Sequence, residues 1–482
     1  VVPPIPDPAR PVPETITHIP TRRPTERARD LLALVRAARS STDSSSAITL
    51  LERARSLAPA DADILWELGW RYQTTTHWNE ALETWATLAR IQPDYPGLSR
   101  YQPILAMRRD RAQVADTLPP TAPLPIEETP RPGEPVTVRA VGDVQLGSDW
   151  PPDQPHLPPR NGRDLFDRVR HILQTADITF GNLETVLADS GRSTKCRRSS
   201  TRCFAFRAPS ASARALREAG FDVLSINNNH TGDFGEAGRR ATANALARED
   251  LLGSGPATGI ATWETRGLRI ALLAFSSGSG FRIQDVPEAT RLVREVDRRY
   301  DLVFVSVHGG AEGPRALHVP RRVERAFGEN RGDVYRFAHA AIDAGADLVL
   351  GHGPHVLRGM ERYRGRLIAY SLGNFSTWHG FTLRGPTAMS AVLDVRLAPN
   401  GVLLDASIIP LRLDRPGIPT PDDTGGAVAT IRRLSQEDFG SPLFDEQGRW
   451  HRAPGPTGRE QHQPPTRISQ PGRAGRRSAA AR

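Results

Sequence analysis

Lysine is almost absent: Lys195 is the single lysine among 63 basic residues, so arginine carries the positive charge, as a GC-rich coding bias alone would produce. Cysteine is scarce too, with Cys196 and Cys203 the full complement. Two cysteines exclude a fold held by a disulfide framework. They sit in a polar Arg/Ser-rich loop and either close one local bridge, a sign of an oxidising compartment, or stand as free thiols. Nothing approaches the ~20 apolar residues of a membrane-spanning helix, so no transmembrane segment is expected, and no charged-then-apolar signal segment opens the residues given. Hydrophobic residues make up 38% of 482 positions, against 42 prolines and 41 glycines, so much of the length lies outside packed core.

The formal net charge is +9, and residues 449–482 carry eight arginines against one glutamate, which leaves the rest of the chain near neutral. No nucleic-acid partner is expected; the basic tail either meets an acidic polymer or anionic lipid, or is simply solvated. Residues 1–25 hold too many prolines for regular structure and form a disordered arm. Helical periodicity occupies 26–116, with an internal repeat: Ala47, Leu51, Ala54 and Pro59 recur 34 residues later as Ala81, Trp85, Leu88 and Pro93. With Leu65, Leu68, Gly69, Tyr72 and Trp78 in place, this small all-α module resembles tetratricopeptide repeats. Two such units rarely stand alone, so a capping helix near 96–115, or docking on the main domain, would complete them. The module serves a protein partner or pads the domain that follows. Residues 117–135 read as an extended proline-rich linker, 136–415 as the main domain and 416–482 as a disordered basic tail.

Within 136–415, strand-like runs alternate with amphipathic helices, the pattern of a layered α/β fold. Five of those runs break off on short polar motifs: Gly142-Asp143, Gly181-Asn182-Leu183-Glu184, Asn228-Asn229-His230, His308-Gly309-Gly310, and Gly351-His352-Gly353-Pro354-His355. Oxygen and imidazole donors at strand ends converge on one edge of a sheet, which is how a metal site is assembled in such folds. Asp143 offers a hard anionic oxygen, and Glu184 is a ligand or a general base. His308 closes an apolar strand ahead of a flexible Gly-Gly, with Glu312 in reach. Asp233, three residues after His230, can fix that imidazole's tautomer. Lys195 stands just after the second motif, as a substrate-contacting amine or by accident of placement.

The motifs GDVQLG (142–147), ADITFGNLET (176–185), FAFRAP (204–209), AGFDVLSINNNHTGDFG (219–235), HGGAEG (308–313), AGADLVLGHGPHV (344–356) and YSLGNF (370–375) together resemble the CapA family. That family is associated with poly-γ-glutamate capsule biosynthesis and is related in fold to calcineurin-like metallophosphoesterases. The resemblance implies a metallophosphoesterase-like layered α/β sandwich and a divalent metal ion (Mn, Fe or Zn). Its ligands would be Asp143, Glu184, Asn229, His308, His352 and His355. It also implies His230 and Glu184 as catalytic groups, with Asn182, Asp233, Glu312 and Asn374 as supports. Two departures matter. Gln145 stands where those phosphoesterases carry a histidine, and His352 and His355 are three apart rather than two, so one tightly held ion or two weak ones fit better than a complete two-metal centre, with His355 the better ligand.

The leading expectation is a protein of biosynthesis, release or attachment of capsular poly-γ-glutamate or a similar envelope polymer, by metal-dependent hydrolase or transferase chemistry. It would work on an anionic polymer or a phosphate ester in the envelope or outside the cell, with the cytoplasm as the alternative. The competing expectations are a phosphoesterase of nucleotides or small phosphate esters, and a non-catalytic tetratricopeptide scaffold.

Overall fold

The computed structural model describes residues 26–451, apart from 42, 100, 104, 107–108, 111–121, 128, 197–202 and 279. The proline-rich arm 1–25 and the end of the basic tail, 452–482, lie outside the described residues.

Four helices open the described chain: α1 (Glu26–Ser40), α2 (Ser44–Leu57), α3 (Ala62–Thr74) and α4 (Trp78–Ile91). Asp43 and Asp61 cap α2 and α3 by accepting from the backbone N–H of Ser46 and Ile64, each such cap contributing about 1 kcal/mol. Helices α3 and α4 cross closely because Gly69 has no side chain. A Cβ there would lie 2.0 Å from Trp85 Nε1, and that indole instead stacks on Trp66 and donates to its carbonyl at 3.3 Å. The rings of Trp66, Trp70, Trp85 and Tyr101 form one cluster, with the Arg269 guanidinium of the main domain 5.1 Å above Trp70. The module therefore docks on the main domain, and its apolar residues join the same core.

That domain is built on two sheets. The first runs in the order β18 (Ile418–Pro421), β17 (Leu403–Asp414), β16 (Met389–Leu397), β1 (Val136–Gln145), β2 (Ile178–Leu183), β5 (Val223–Ser225), β6 (Leu252–Ser254), with β15 (Asn374–Thr377) beside the end of β1. The second runs β13 (Met360–Tyr363), β14 (Arg366–Ala369), β12 (Leu348–His352), β9 (Leu302–His308), β8 (Leu268–Ser276), β7 (Ala261–Thr265). The first is parallel from β1 to its β6 edge and antiparallel from β1 through β16 and β17 to β18, and the second is parallel at the centre and antiparallel at both flanks. The short β3 (Val186–Leu187) and β4 (Arg207–Ala208) pair with each other outside these sheets.

Side chains alternate across a strand, and here both faces are apolar. Val138, Ala140, Phe304 and Leu350 fill the layer between the sheets. Val141 and Val144 face one outer layer, and Val303, Val305 and Val349 the other. Helix α6 (Ala213–Ala219) covers the first sheet, and α8 (Val286–Asp297) and α9 (Val334–Asp343) the second, the short α5 (Arg170–Leu173) and α7 (Gly235–Arg248) also contributing to the first side. The product is a layered α/β sandwich.

Two sequence expectations change. The stretch read as a free linker is docked where it is described: Leu124 is buried, its N–H donates to Asp343 O at 2.8 Å, and Arg364 binds its carbonyl. The tail read as disordered from 416 instead continues as β18 and α10 (Gly426–Phe439). In α10, Ala427, Val428, Ile431 and Leu434 recur at helical spacing and are buried, a periodicity outweighed on paper by the prolines and arginines around it. Gly69→Val is expected to destabilise the protein by about 2 kcal/mol through overpacking against Trp85, seen as a lower urea midpoint at unchanged slope; an unmoved midpoint would show that the indole can yield.

Candidate metal centre

The parallel strands of both sheets end on the same side of the molecule, and the polar motifs sit at those ends. Asp143 lies near the end of β1, Asn182 in β2 with Glu184 just beyond, Asn228 to His230 after β5, and His308 at the end of β9. The glycines ahead of the donors allow the backbones to close in. A Cβ on Gly142 would meet Gly373 O at 2.1 Å, and one on Gly351 would meet Tyr370 O at 2.3 Å.

Asp143, Glu184 and His355 bring ligand atoms within 4.8 Å of one another, all buried. His355 Nδ1 is 3.0 Å from Asp143 Oδ2, and its Nε2 is 3.8 Å from Glu184 Oε1. His308 Nε2 stands 3.6 Å from the same Glu184 oxygen. Asn182 supports this group by donating to Asp143 Oδ1 at 2.8 Å, and Asn228 in turn donates to Asn182 and to Leu183 O. Asn374 accepts from His355 Nδ1 at 3.0 Å and donates to its carbonyl, holding a residue whose φ of +58° is uncommon for a side chain of this size. Beside the group, His230 Nδ1 donates to Asp233 Oδ2 at 2.8 Å and its Nε2 lies 3.9 Å from Glu184 Oε1. Lys195 Nζ reaches Asp233 Oδ1 and Asn229 O, each at 3.2 Å.

His352 is not drawn into the group. Its Nε2 donates to Val141 O at 3.1 Å, and its ring packs edge-on against Phe180. Being still inside β12, it bridges the two sheets, whereas His355, beyond the Gly353-Pro354 turn, reaches the carboxylates. Gln145, which replaces the missing histidine, points its Oε1 at the Gly147 N–H.

Burial dominates the electrostatics. It pushes the Glu184 carboxyl well above its usual range, partly opposed by His355, and pushes His308, His230 and His352 below theirs. For Asp143 burial is outweighed by the hydrogen bond and charge of His355, which hold the carboxyl low. For His355 burial is outweighed by Glu184 and Asp143, which push the imidazole up to about 10. The group thus calls for a positive charge between its carboxylates. Glu184 Oε2 is buried with no hydrogen-bond donor among the described residues, and the mixed nitrogen and oxygen set fits a divalent ion such as Mn, Fe or Zn.

Residues without a strand-end signal also shape the site. Arg331 is buried and pairs with Glu312 at 2.7 Å; it follows a two-residue strand, so no apolar run pointed to it. Phe206 packs on His230 and Phe381 on His355, with ring centres 4.4 and 4.3 Å apart. Phe206 belongs to the FAFRAP motif, noted above without a role. Cys196 and Cys203 form a disulfide directly after Lys195.

Fold and site together define a layered α/β protein that gathers a buried, nitrogen- and oxygen-rich group of side chains where two sheets end. The chain belongs to the family of the bacterial capsule synthesis protein PGA_cap, whose model matches residues 137–377. It is 29% identical over 315 residues to the capsule biosynthesis protein CapA of Bacillus anthracis, covering 60% of this chain and 70% of that protein. It is also 29% identical over 281 residues to the PGA biosynthesis protein CapA of Bacillus subtilis (strain 168), covering 54% and 67%. A solved 5′-nucleotidase precursor from Thermus thermophilus is similar at 14% identity and a TM-score of 0.32, over 63% of this chain and 59% of that one, a likeness too slight to bear on chemistry.

Replacing both cysteines with serine is expected to cost about 2 kcal/mol, the loop-closure entropy of so short a bridge, read as a lower urea midpoint; an unchanged midpoint would mean the loop is held without it.

Proposed function

We propose that this capsule-synthesis family member acts in the biosynthesis, release or attachment of poly-γ-glutamate or a similar anionic envelope polymer, by metal-dependent hydrolysis or group transfer. The observation that carries this reading is the buried Asp143, Glu184 and His355 group inside the family-matched domain. Those three would hold a divalent ion, with His308 and Asn229 at its edge. Such an ion, when bound, supplies Lewis-acid polarisation of a carbonyl or phosphoryl centre.

The chain's own residues account for the rest. Asp233 holds the Nδ1 proton of His230 and so directs Nε2 at the group. Burial keeps that ring neutral at rest, so Nε2 first accepts a proton and then delivers it to a leaving oxygen or nitrogen. Lys195, its side chain 31% exposed, offers a cation at the rim to an anionic substrate. Phe206 and Phe381 pack on the two imidazoles and on each other, with their own ring centres 6.2 Å apart, and form an apolar wall beside the group. The Cys196–Cys203 bridge supports an oxidising location, the envelope or the exterior. No helix among the described residues is long and apolar enough to cross a membrane. The N-terminal helical module would recruit a protein partner to this site.

The test is elemental metal content of the purified chain, with turnover of poly-γ-glutamate and of a generic phosphodiester measured in parallel. Asp143→Ala is expected to lose the metal. His230→Ala should keep it and lose about 10²- to 10⁴-fold in turnover. Cleavage of the phosphodiester alone would move the assignment to a small phosphate ester, and a chain that takes up no metal and turns over neither substrate would leave a scaffold.

A further inference from the structure

Arg331 is 2% exposed and enters the site from the segment between β11 (Glu329–Asn330), which pairs with β10 (Arg325–Ala326), and α9. Its backbone is pinned on both sides: its N–H donates to Glu324 O at 3.0 Å, and its carbonyl accepts from Gly310 N at 2.9 Å. The guanidinium reaches Glu312 Oε1 at 2.7 Å and Glu329 Oε2 at 3.2 Å. Glu312 also lies 4.0 Å from His355, so one of the two acids that hold the guanidinium also faces the site.

The carboxamide of Asn229 lies against this guanidinium and has two orientations of opposite meaning. With its oxygen 3.3 Å from Arg331 Nη2, its nitrogen donates to His308 Nε2 at 2.9 Å and to Glu184 Oε1 at 3.3 Å, so that both ends of the amide are paired. Turned over, the amide nitrogen faces the guanidinium, donor against donor, and the oxygen joins Glu184 and His308. A cation in the group selects the second orientation. The guanidinium, always charged and donor-only, selects the first.

We infer that Arg331 is a positioning residue that latches the Asn229 carboxamide with its oxygen turned away from the cation group, so that Asn229 becomes a ligand only against the pull of Arg331. The latch sets how firmly the ion is held without itself touching the ion. It rests on the reading of this group as a divalent-cation site.

The test is a double-mutant cycle on Mn²⁺ binding, measured by calorimetry on the full chain with Mn²⁺ alone. Arg331→Met is expected to tighten binding about tenfold, the coupling usual within one hydrogen-bond network. In an Asn229→Ala background the same substitution should change affinity by less than about threefold, because nothing is left to latch. Removing a positive charge near a cation site tightens binding in any background, so equal tightening with and without Asn229 overturns the latch and leaves the metal site standing. Unchanged or weaker binding in Arg331→Met overturns it as well. Should Arg331→Met fail to fold, Arg331→Gln carries the cycle, since its amide can turn an acceptor toward Asn229 and so no longer selects one orientation. A wild-type chain that binds no Mn²⁺ overturns the reading of the site, and the latch with it.

Discussion

Two carboxylates out of reach of water, Asp143 and Glu184, set the terms for everything around them. An unpaired buried carboxylate costs several kcal/mol, and two side by side cannot both stay charged unless a cation sits between them. That demand explains the neighbours. His355 carries a proton it would otherwise lose to burial, Asn182 commits a donor to Asp143, and Asn228 steadies Asn182. The same demand makes a divalent ion a natural occupant, because it would replace the proton on His355 and reach the oxygen of Glu184 that no donor among the described residues meets.

Around that centre the two sheets supply rigidity. Their parallel strands end together, and the packed layers on both faces leave the donors little freedom to drift. His230 and its partner Asp233 stand on a turn rather than a strand, tied to the sheet through Asn228 and braced by Lys195.

How much of this was legible depends on what each residue leaves in the local pattern. The apolar runs before Asp143, Asn182, Asn228, His308 and His352 announced strands that end on polar residues, and so a common edge. Convergence in space was not legible, since His352 and His355 carry the same chemistry and a two-residue turn decides which one reaches the carboxylates. Arg331 was invisible because it follows no apolar run and its partners, Glu312 and Asn229, are distant in sequence. Helix α10 was hidden by composition: its buried stripe is regular, but the prolines and arginines around it read as tail.

The first strand of the main domain has a divided allegiance. Its second half, from Asp143, lies beside β15, inside the family-matched stretch, but its first half is hydrogen-bonded along six consecutive positions to β16, which begins at Met389, past the end of that match at residue 377. The α10 helix reaches back in the same way, Asp438 binding His318 and the Val319 N–H in the loop that carries Glu312. The stretch recognisable by descent and the stretch able to fold are therefore different objects. A fragment trimmed to the family boundary would keep the carboxylates and imidazoles yet expose a bare strand edge and an unfastened loop beside them.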